Sequence, residues 1–141
     1  MSSCRILYVD DNNDSRELAA VMFNYSDTGC NVISAESAEE ALRLIDKEPF
    51  DAYIFDNRLP KMSGIELCRY IRQFDADTPI LFFSALARPN EVAEALEAGA
   101  SDYLVKPNDL ERLPETVKQF LSEDSTALKT EPATVRAGFW F

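Results

Sequence analysis

ILYVDD, at residues 6–11, is the stretch that decides the fold, because four apolar residues run without interruption and end in two acids. A strand without polar alternation is buried on both faces, which is typical of a parallel sheet covered by helices on each side. Three later runs have the same character and also end in a polar residue: AYIF before Asp56, ILFF before Ser84 and YLV before Lys106. A shorter apolar pair, Val32 and Ile33, predicts one further strand.

Between these strands the apolar residues take a helical spacing. In the first such segment the i, i+3, i+4, i+7 pattern predicts a buried stripe made of Leu18, Val21, Met22 and Tyr25. Ser37 and Ser63 are predicted to be the N-caps of the second and third helices, with Glu40 closing a capping box at Ser37. Five strand–helix repeats predict an α/β fold in which right-handed crossovers join a parallel sheet to helices on both faces.

Composition limits the size and the class of the protein. The 141 residues are enough for one domain, which we expect at residues 1–122, followed by a solvated linker and an aromatic cluster in a tail at 123–141. Net charge −11 argues against direct binding to nucleic acid, and no apolar run approaches the length of a membrane span. Three cysteines without regular spacing imply no disulfide framework and indicate a reducing compartment, so we expect a cytoplasmic protein.

The polar residues that end the strands are expected to meet, because the carboxyl ends of parallel strands share one edge of a sheet and ligands bind there. Asp10, Asp11 and Asp56 would repel one another at that edge unless a proton or a cation compensates them. Carboxylate oxygens suit Mg²⁺, and a carboxylate can act as a nucleophile toward phosphorus. Lys106 and the Ser84 hydroxyl would then meet oxygens of a transferring phosphoryl group.

The chain resembles the receiver domains of two-component response regulators, chemotaxis regulators among them, along residues 4–121. The matching segments are ILYVDDN, YIFDNRLPKMSGIEL, ILFFSALA and GASDYLVKP. The resemblance implies a flavodoxin-like, doubly wound sheet of five parallel strands in the order 2-1-3-4-5, with five helices. It also implies a phosphoacceptor module that is not a turnover enzyme. Such a module receives its phosphoryl group from a histidine kinase or a phosphotransfer protein and acts on a downstream protein target.

The same resemblance implies a role for each site residue. Asp56 would be the phosphoacceptor, Lys106 the phosphate-binding lysine, Ser84 the switch hydroxyl and Tyr103 the switch aromatic. Mg²⁺ would be held by Asp11, Asp56, the backbone carbonyl of Arg58 and, mainly through water, Asp10. Signalling would follow from a conformational change at the face formed by the fourth helix, fifth strand and fifth helix.

Two other classes of protein fit the sequence less well. A Mg²⁺-dependent hydrolase with an aspartyl nucleophile, like the haloacid dehalogenase family, needs a second Asp two residues after the first, where this chain has Arg58. A nucleotide-binding fold needs a GxGxxG loop after the first strand, which is not present. A stand-alone receiver and the amino-terminal part of a longer regulator both remain open. We expect the tail to dock on the domain, or on a second copy to form a homodimer, most plausibly at the signalling face.

Overall fold

The structure is a computed structural model that describes the backbone of residues 4–130 and the side chains of residues 4–122. Strands and helices alternate throughout the described residues. The strands are β1 (Cys4–Val9), β2 (Cys30–Ala35), β3 (Ala52–Phe55), β4 (Ile80–Ser84) and β5 (Asp102–Val105). The helices are α1 (Asn13–Asn24), α2 (Ala38–Lys47), α3 (Gly64–Arg72), α4 (Pro89–Ala98) and α5 (Arg112–Thr130). All strand pairs are parallel and the order is β2-β1-β3-β4-β5, which confirms the predicted α/β fold.

Each face of the sheet has its own apolar layer, because successive residues of a strand face opposite sides. Leu7, Phe55 and Phe82 pack on one side with residues of α2, α3 and α4. Ile6 and Ile54 pack on the other side with residues of α1 and α5, in a layer that we call the α1–α5 layer. The central strands β3 and β4 are buried along their whole length, as their unbroken apolar runs predicted.

The predicted buried stripe of α1 is wrong. Leu18 is 53% exposed, Val21 47% and Tyr25 87%, whereas Ala19 and Phe23 are buried against the sheet. The segment from 18 to 23, LAAVMF, is apolar nearly all the way round the helix. A spacing of three and four therefore fits two overlapping sets of positions, and contact with the sheet decides between them.

The predicted serine N-caps of α2 and α3 are confirmed, with one difference in the hydrogen bonds at α2. Ser63 and Glu66 form a full capping box at α3, and Gly99 ends α4 with a left-handed φ of 116°. The Ser37 side chain caps α2 by accepting from the N–H of Glu40. The Glu40 carboxylate accepts from the N–H of Glu36 rather than that of Ser37, so the predicted box at α2 is displaced by one residue.

A disulfide joins Cys4 and Cys30, which corrects the expectation, drawn from the irregular cysteine spacing, that no disulfide framework is implied. The two cysteines are register partners at the start of the adjacent strands β1 and β2, and their Cα atoms lie 4.3 Å apart. Their separation of 26 residues in sequence carries no sign of this proximity, because strand pairing creates it. Cys68 is a buried thiol.

Helix α5 continues to Thr130, so residues 122–130 are helical where the sequence predicted a linker. The aromatic cluster at 139–141 and its predicted docking lie outside the described residues. Within the part of the chain that the structure describes, no helix combines the length and the apolar character needed to cross a membrane.

Candidate functional site

Backbone hydrogen bonds carry the sheet one residue past its strands and thereby fix the residues that follow them. The N–H of Asp10 donates to the carbonyl of Ala35 over 3.0 Å, and the N–H of Asp56 donates to that of Val9 over 2.9 Å. The N–H of Lys106 donates to the carbonyl of Ser84 over 3.1 Å. These polar residues therefore share one edge of the sheet, as the sequence predicted.

The Lys106 ammonium bridges two buried acids at this edge. Its Nζ lies 2.6 Å from Asp10 Oδ2 and 2.9 Å from Asp56 Oδ2, and it also donates to Ser15 Oγ on α1 over 3.2 Å. The second oxygens of the two carboxylates bind backbone N–H groups, Asp10 Oδ1 that of Asn12 and Asp56 Oδ1 that of Arg58, each over 3.0 Å. Both oxygens of each carboxylate therefore accept a hydrogen bond.

Three carboxylates converge closely enough to hold one cation. Asp10, Asp11 and Asp56 each offer an oxygen atom, and these atoms lie within 4.8 Å of one another. Asp10 is fully buried and Asp56 is 8% exposed, while Asp11 is exposed, so the cluster opens to solvent on one side. An all-carboxylate donor set with an open side fits Mg²⁺, which keeps some of its water when bound. Three ionised acids beside one ammonium also leave two negative charges for a divalent ion to neutralise.

Burial and hydrogen bonding oppose each other in the pKa values of this cluster. Burial raises the pKa of Asp10, and the hydrogen bonds from Lys106 and the N–H of Asn12 reduce that rise without cancelling it. Burial lowers the pKa of Lys106, but the hydrogen bonds to Asp10 and Asp56 outweigh it and hold the pKa above its ordinary value. The lysine is therefore charged at neutral pH, and ionisation of Asp10 carries a desolvation cost.

The loop after β3 packs tightly beneath Asp56. The N–H of Gly64, the first residue of α3, donates to the carbonyl of Asn57 over 3.1 Å. A Cβ at position 64 would lie 2.4 Å from the backbone carbonyl oxygen of Asp56, so the close approach requires glycine. Arg58 reaches the site through its N–H; the metal-binding role of its carbonyl stays a prediction.

The two predicted switch residues meet at Leu86, in the loop between β4 and α4. Ser84 is fully buried, and its Oγ accepts from the N–H of Leu86 over 3.2 Å. The Tyr103 hydroxyl donates to the carbonyl of Leu86, and its ring stacks on Phe82 with centroids 5.4 Å apart. One residue of the loop thus joins the hydroxyl at the end of β4 to the aromatic side chain on β5.

Two hydroxyl side chains at the site were not predicted from the sequence, that of Tyr8 beside Asp10 and that of Ser15 beside Lys106. The Tyr8 hydroxyl donates to Asp10 Oδ2 over 3.1 Å inside the protein, and burial, with Asp10 beside it, holds the pKa of Tyr8 above its ordinary value. The signal for Tyr8 was present, because residues two apart on a strand face the same side. Ser15 depends on how α1 leaves the strand end, which no local pattern indicates.

Comparison with known proteins identifies relatives of this arrangement. Residues 6–118 match the family model described as "Response regulator receiver domain". The response regulator protein PilR of Pseudomonas aeruginosa is 40% identical over 117 residues, which are 83% of this chain and 26% of PilR. Response regulator MprA of Mycolicibacterium vanbaalenii is 40% identical over 109 residues, 77% of this chain and 46% of MprA.

Among solved structures, a receiver domain protein (CheY-like) from Methanospirillum hungatei superposes with a TM-score of 0.81 at 30% identity. That match covers 89% of this chain and 98% of the other. The chain is therefore similar to nearly the whole of a solved receiver domain, while it spans less than half the length of PilR and of this MprA.

Proposed function

The chain belongs to the response regulator receiver family, and we propose that Asp56 accepts a phosphoryl group from a partner histidine kinase or phosphotransfer protein in a Mg²⁺-dependent reaction. The observation that carries this proposal is the setting of Asp56. Its carboxylate follows a buried strand and is held by an ammonium on one oxygen and a backbone N–H on the other. Two further acids lie within reach of a shared cation.

In the proposed reaction a carboxylate oxygen of Asp56 attacks phosphorus, a P–O bond forms, and the bond from phosphorus to the donor's nitrogen breaks with its electrons going to that nitrogen. Asp11, Asp56 and the carbonyl of Arg58 would hold Mg²⁺, with Asp10 acting mainly through water. The bound ion would supply charge neutralisation and a contact for a phosphoryl oxygen. Lys106 already lies 2.9 Å from Asp56 Oδ2, so a small movement of its ammonium brings it to an equatorial oxygen of the incoming group.

The contacts at Leu86 support a route from the phosphoryl group to the surface. When the Ser84 hydroxyl turns to a phosphoryl oxygen, it releases the N–H of Leu86, whose carbonyl is the partner of Tyr103. The loop before α4 and the aromatic side chain on β5 then rearrange together, and the face formed by α4, β5 and α5 changes. Moving such an equilibrium from 1:99 to 99:1 requires about 5.5 kcal/mol of differential stabilisation.

We propose that this chain itself contacts a protein target, since a chain of net charge −11 does not attract the polyanionic backbone of nucleic acid. The chain spans less than half of PilR and of the MprA compared above. The proposal is therefore compatible both with a separate receiver and with a segment of a longer regulator. Cytoplasmic localisation and a homodimer formed through residues 123–141 stay predictions from the sequence.

The test is phosphorylation by acetyl phosphate with Mg²⁺, followed by intact mass. Asp56→Asn should abolish the acid-labile phosphoryl adduct, because an amide of the same shape is not a nucleophile. Asp27→Asn, at an exposed acid between α1 and β2, is the matched control and should be labelled like the wild type. Labelling of the Asp56→Asn variant at the wild-type level would overturn the assignment, and so would a wild type that is never labelled.

A further inference from the structure

Tyr8 carries a hydroxyl into a layer that needs none for packing. The residue is 1% exposed and lies in the α1–α5 layer with apolar residues such as Ala19 and Phe23. Burying a hydroxyl without a partner costs free energy, and phenylalanine would fill the same space without that cost. The hydroxyl instead donates to Asp10 Oδ2 over 3.1 Å, beside the three-acid cluster.

The orientation of the Asp10 carboxylate depends on its hydrogen bonds, because the terminal torsion of an aspartate has broad minima. Oδ1 is held by the N–H of Asn12, and Oδ2 accepts from both Tyr8 and Lys106. In the proposed reaction Lys106 turns toward the phosphoryl group and leaves Oδ2. Tyr8 is then the side chain that keeps Oδ2 in place, since it reaches this oxygen from the apolar layer and not from the open side.

We propose that Tyr8 is a positioning residue that orients Asp10 for Mg²⁺ binding and for the chemistry at Asp56. The inference deepens the proposed function and rests on it for the phosphoryl step, while its metal-binding arm can be tested alone. Groups that orient metal ligands typically contribute about 10–100-fold to metal affinity or activity. We expect the lower end for Tyr8 in Mg²⁺ binding, because the N–H of Asn12 still holds Oδ1 and Lys106 still donates to Oδ2 before phosphorylation.

The experiment measures the affinity of the full chain for Mg²⁺ alone by calorimetry, in the wild type and in Tyr8→Phe. Affinity should fall about 10-fold in Tyr8→Phe. Tyr53→Phe is the matched control: Tyr53 is also buried in a central strand, but it faces the opposite apolar layer. Loss of the Tyr53 hydroxyl should leave the affinity for Mg²⁺ unchanged.

A background variant separates positioning from a general loss of structure. In Asp10→Ala the carboxylate is missing, so adding Tyr8→Phe should cause no further loss of Mg²⁺ affinity. An additive loss in the double variant, or equal effects of Tyr8→Phe and Tyr53→Phe, overturns the inference. Tyr8→Met, a second variant without the hydroxyl and with an adaptable side chain, carries the same expectation where Tyr8→Phe does not fold.

The same proteins distinguish failure of this inference from failure of the proposed function. A wild type that binds Mg²⁺ but is not phosphorylated by acetyl phosphate refutes the phosphoacceptor proposal. The Mg²⁺ affinities of Tyr8→Phe and Tyr53→Phe then still decide whether Tyr8 has its metal-binding role. A wild type that is phosphorylated, with Mg²⁺ affinity unchanged in Tyr8→Phe, refutes the inference alone. A wild type without measurable Mg²⁺ binding overturns both.

Discussion

A single methyl group at position 64 should disturb the proposed phosphoacceptor. Gly64 begins α3 directly beneath the loop that carries Asp56, and a Cβ there would meet three atoms of the site and the core. They are the backbone carbonyl oxygen of Asp56 at 2.4 Å, the Cα of Asn57 at 3.0 Å and Cε2 of Phe82 at 3.0 Å. Real Cβ atoms essentially never approach another heavy atom closer than 3.0 Å, so the alanine variant must displace the backbone of Asp56 or the start of α3.

The required displacement is about half an ångström or more, given a contact of 2.4 Å where 3.0 Å is the practical limit. Overpacking of this kind typically costs about 1–3 kcal/mol. A misplacement of about 1 Å at a reacting group can cost about 100-fold in rate. We therefore expect Gly64→Ala to lose about 1–3 kcal/mol of unfolding free energy and to be phosphorylated roughly 10–100-fold more slowly.

Gly29→Ala provides a matched control. Gly29 has a left-handed φ of 70° but open space at its Cβ position, and it precedes β2 at the opposite edge of the sheet. Alanine there should cost about 1–2 kcal/mol through backbone strain alone and leave the phosphorylation rate unchanged. Urea unfolding measures the stability of both variants, and the rate of labelling by acetyl phosphate measures the site. Equal labelling rates in Gly64→Ala, Gly29→Ala and the wild type would refute the argument from contact.

Two further predictions concern stability. Reducing the Cys4–Cys30 disulfide should lower the free energy of unfolding by about 3.5 kcal/mol, because the bond closes a loop with a sequence separation of 26 and limits the entropy of the unfolded chain. The Cys30→Ser variant should unfold at the same urea concentration as the reduced wild type. A wild-type midpoint that does not change with dithiothreitol would contradict this prediction. Burial raises the folded-state pKa of Asp10, so protonated Asp10 contributes to the free energy of unfolding at acidic pH. That contribution is lost as pH rises through the folded-state pKa. Without Mg²⁺, the Asp10→Asn variant should therefore have a higher free energy of unfolding than the wild type at neutral pH. Urea unfolding should show that this difference becomes smaller at acidic pH.

Much of the fold and the positions of the acids could be predicted because few physical rules decide them. An unbroken apolar run such as residues 6–9 must be buried on both faces, and the residues that follow parallel strands must share an edge. Asp10, Asp56 and Lys106 therefore lie together, although up to 96 positions separate them along the chain. The order of the strands came from the family resemblance and not from periodicity.

What could not be predicted depends on contacts between elements. The buried face of α1 depends on how the helix settles on the sheet, since Leu18 and Ala19 fit the helical spacing equally well. The disulfide depends on the register of β1 with β2, which places Cys4 opposite Cys30. The contact of Ser15 with Lys106 depends on the direction in which α1 leaves the strand end. Each of these is fixed by packing after the local elements exist.

The charge of the cluster gives the proposed switch its direction. In the proposed switch, phosphorylation would replace the carboxylate of Asp56 by a group carrying about −1.5 to −2 with several strong acceptor oxygens, at an edge that also holds the carboxyl groups of Asp10 and Asp11. The added charge must draw in hydrogen-bond donors. Lys106 is one such donor. Ser84 is another, and its Oγ now accepts from the N–H of Leu86.

The two donors have different consequences when they move to the phosphoryl group. Movement of the lysine leaves Asp10 with its remaining donors, Tyr8 among them, whereas movement of the serine disturbs the loop that binds Tyr103. In the proposed switch the metal side of the site would therefore be held from the core while the signalling side is released, and substitutions at Tyr8 and at Ser84 should separate the two responses.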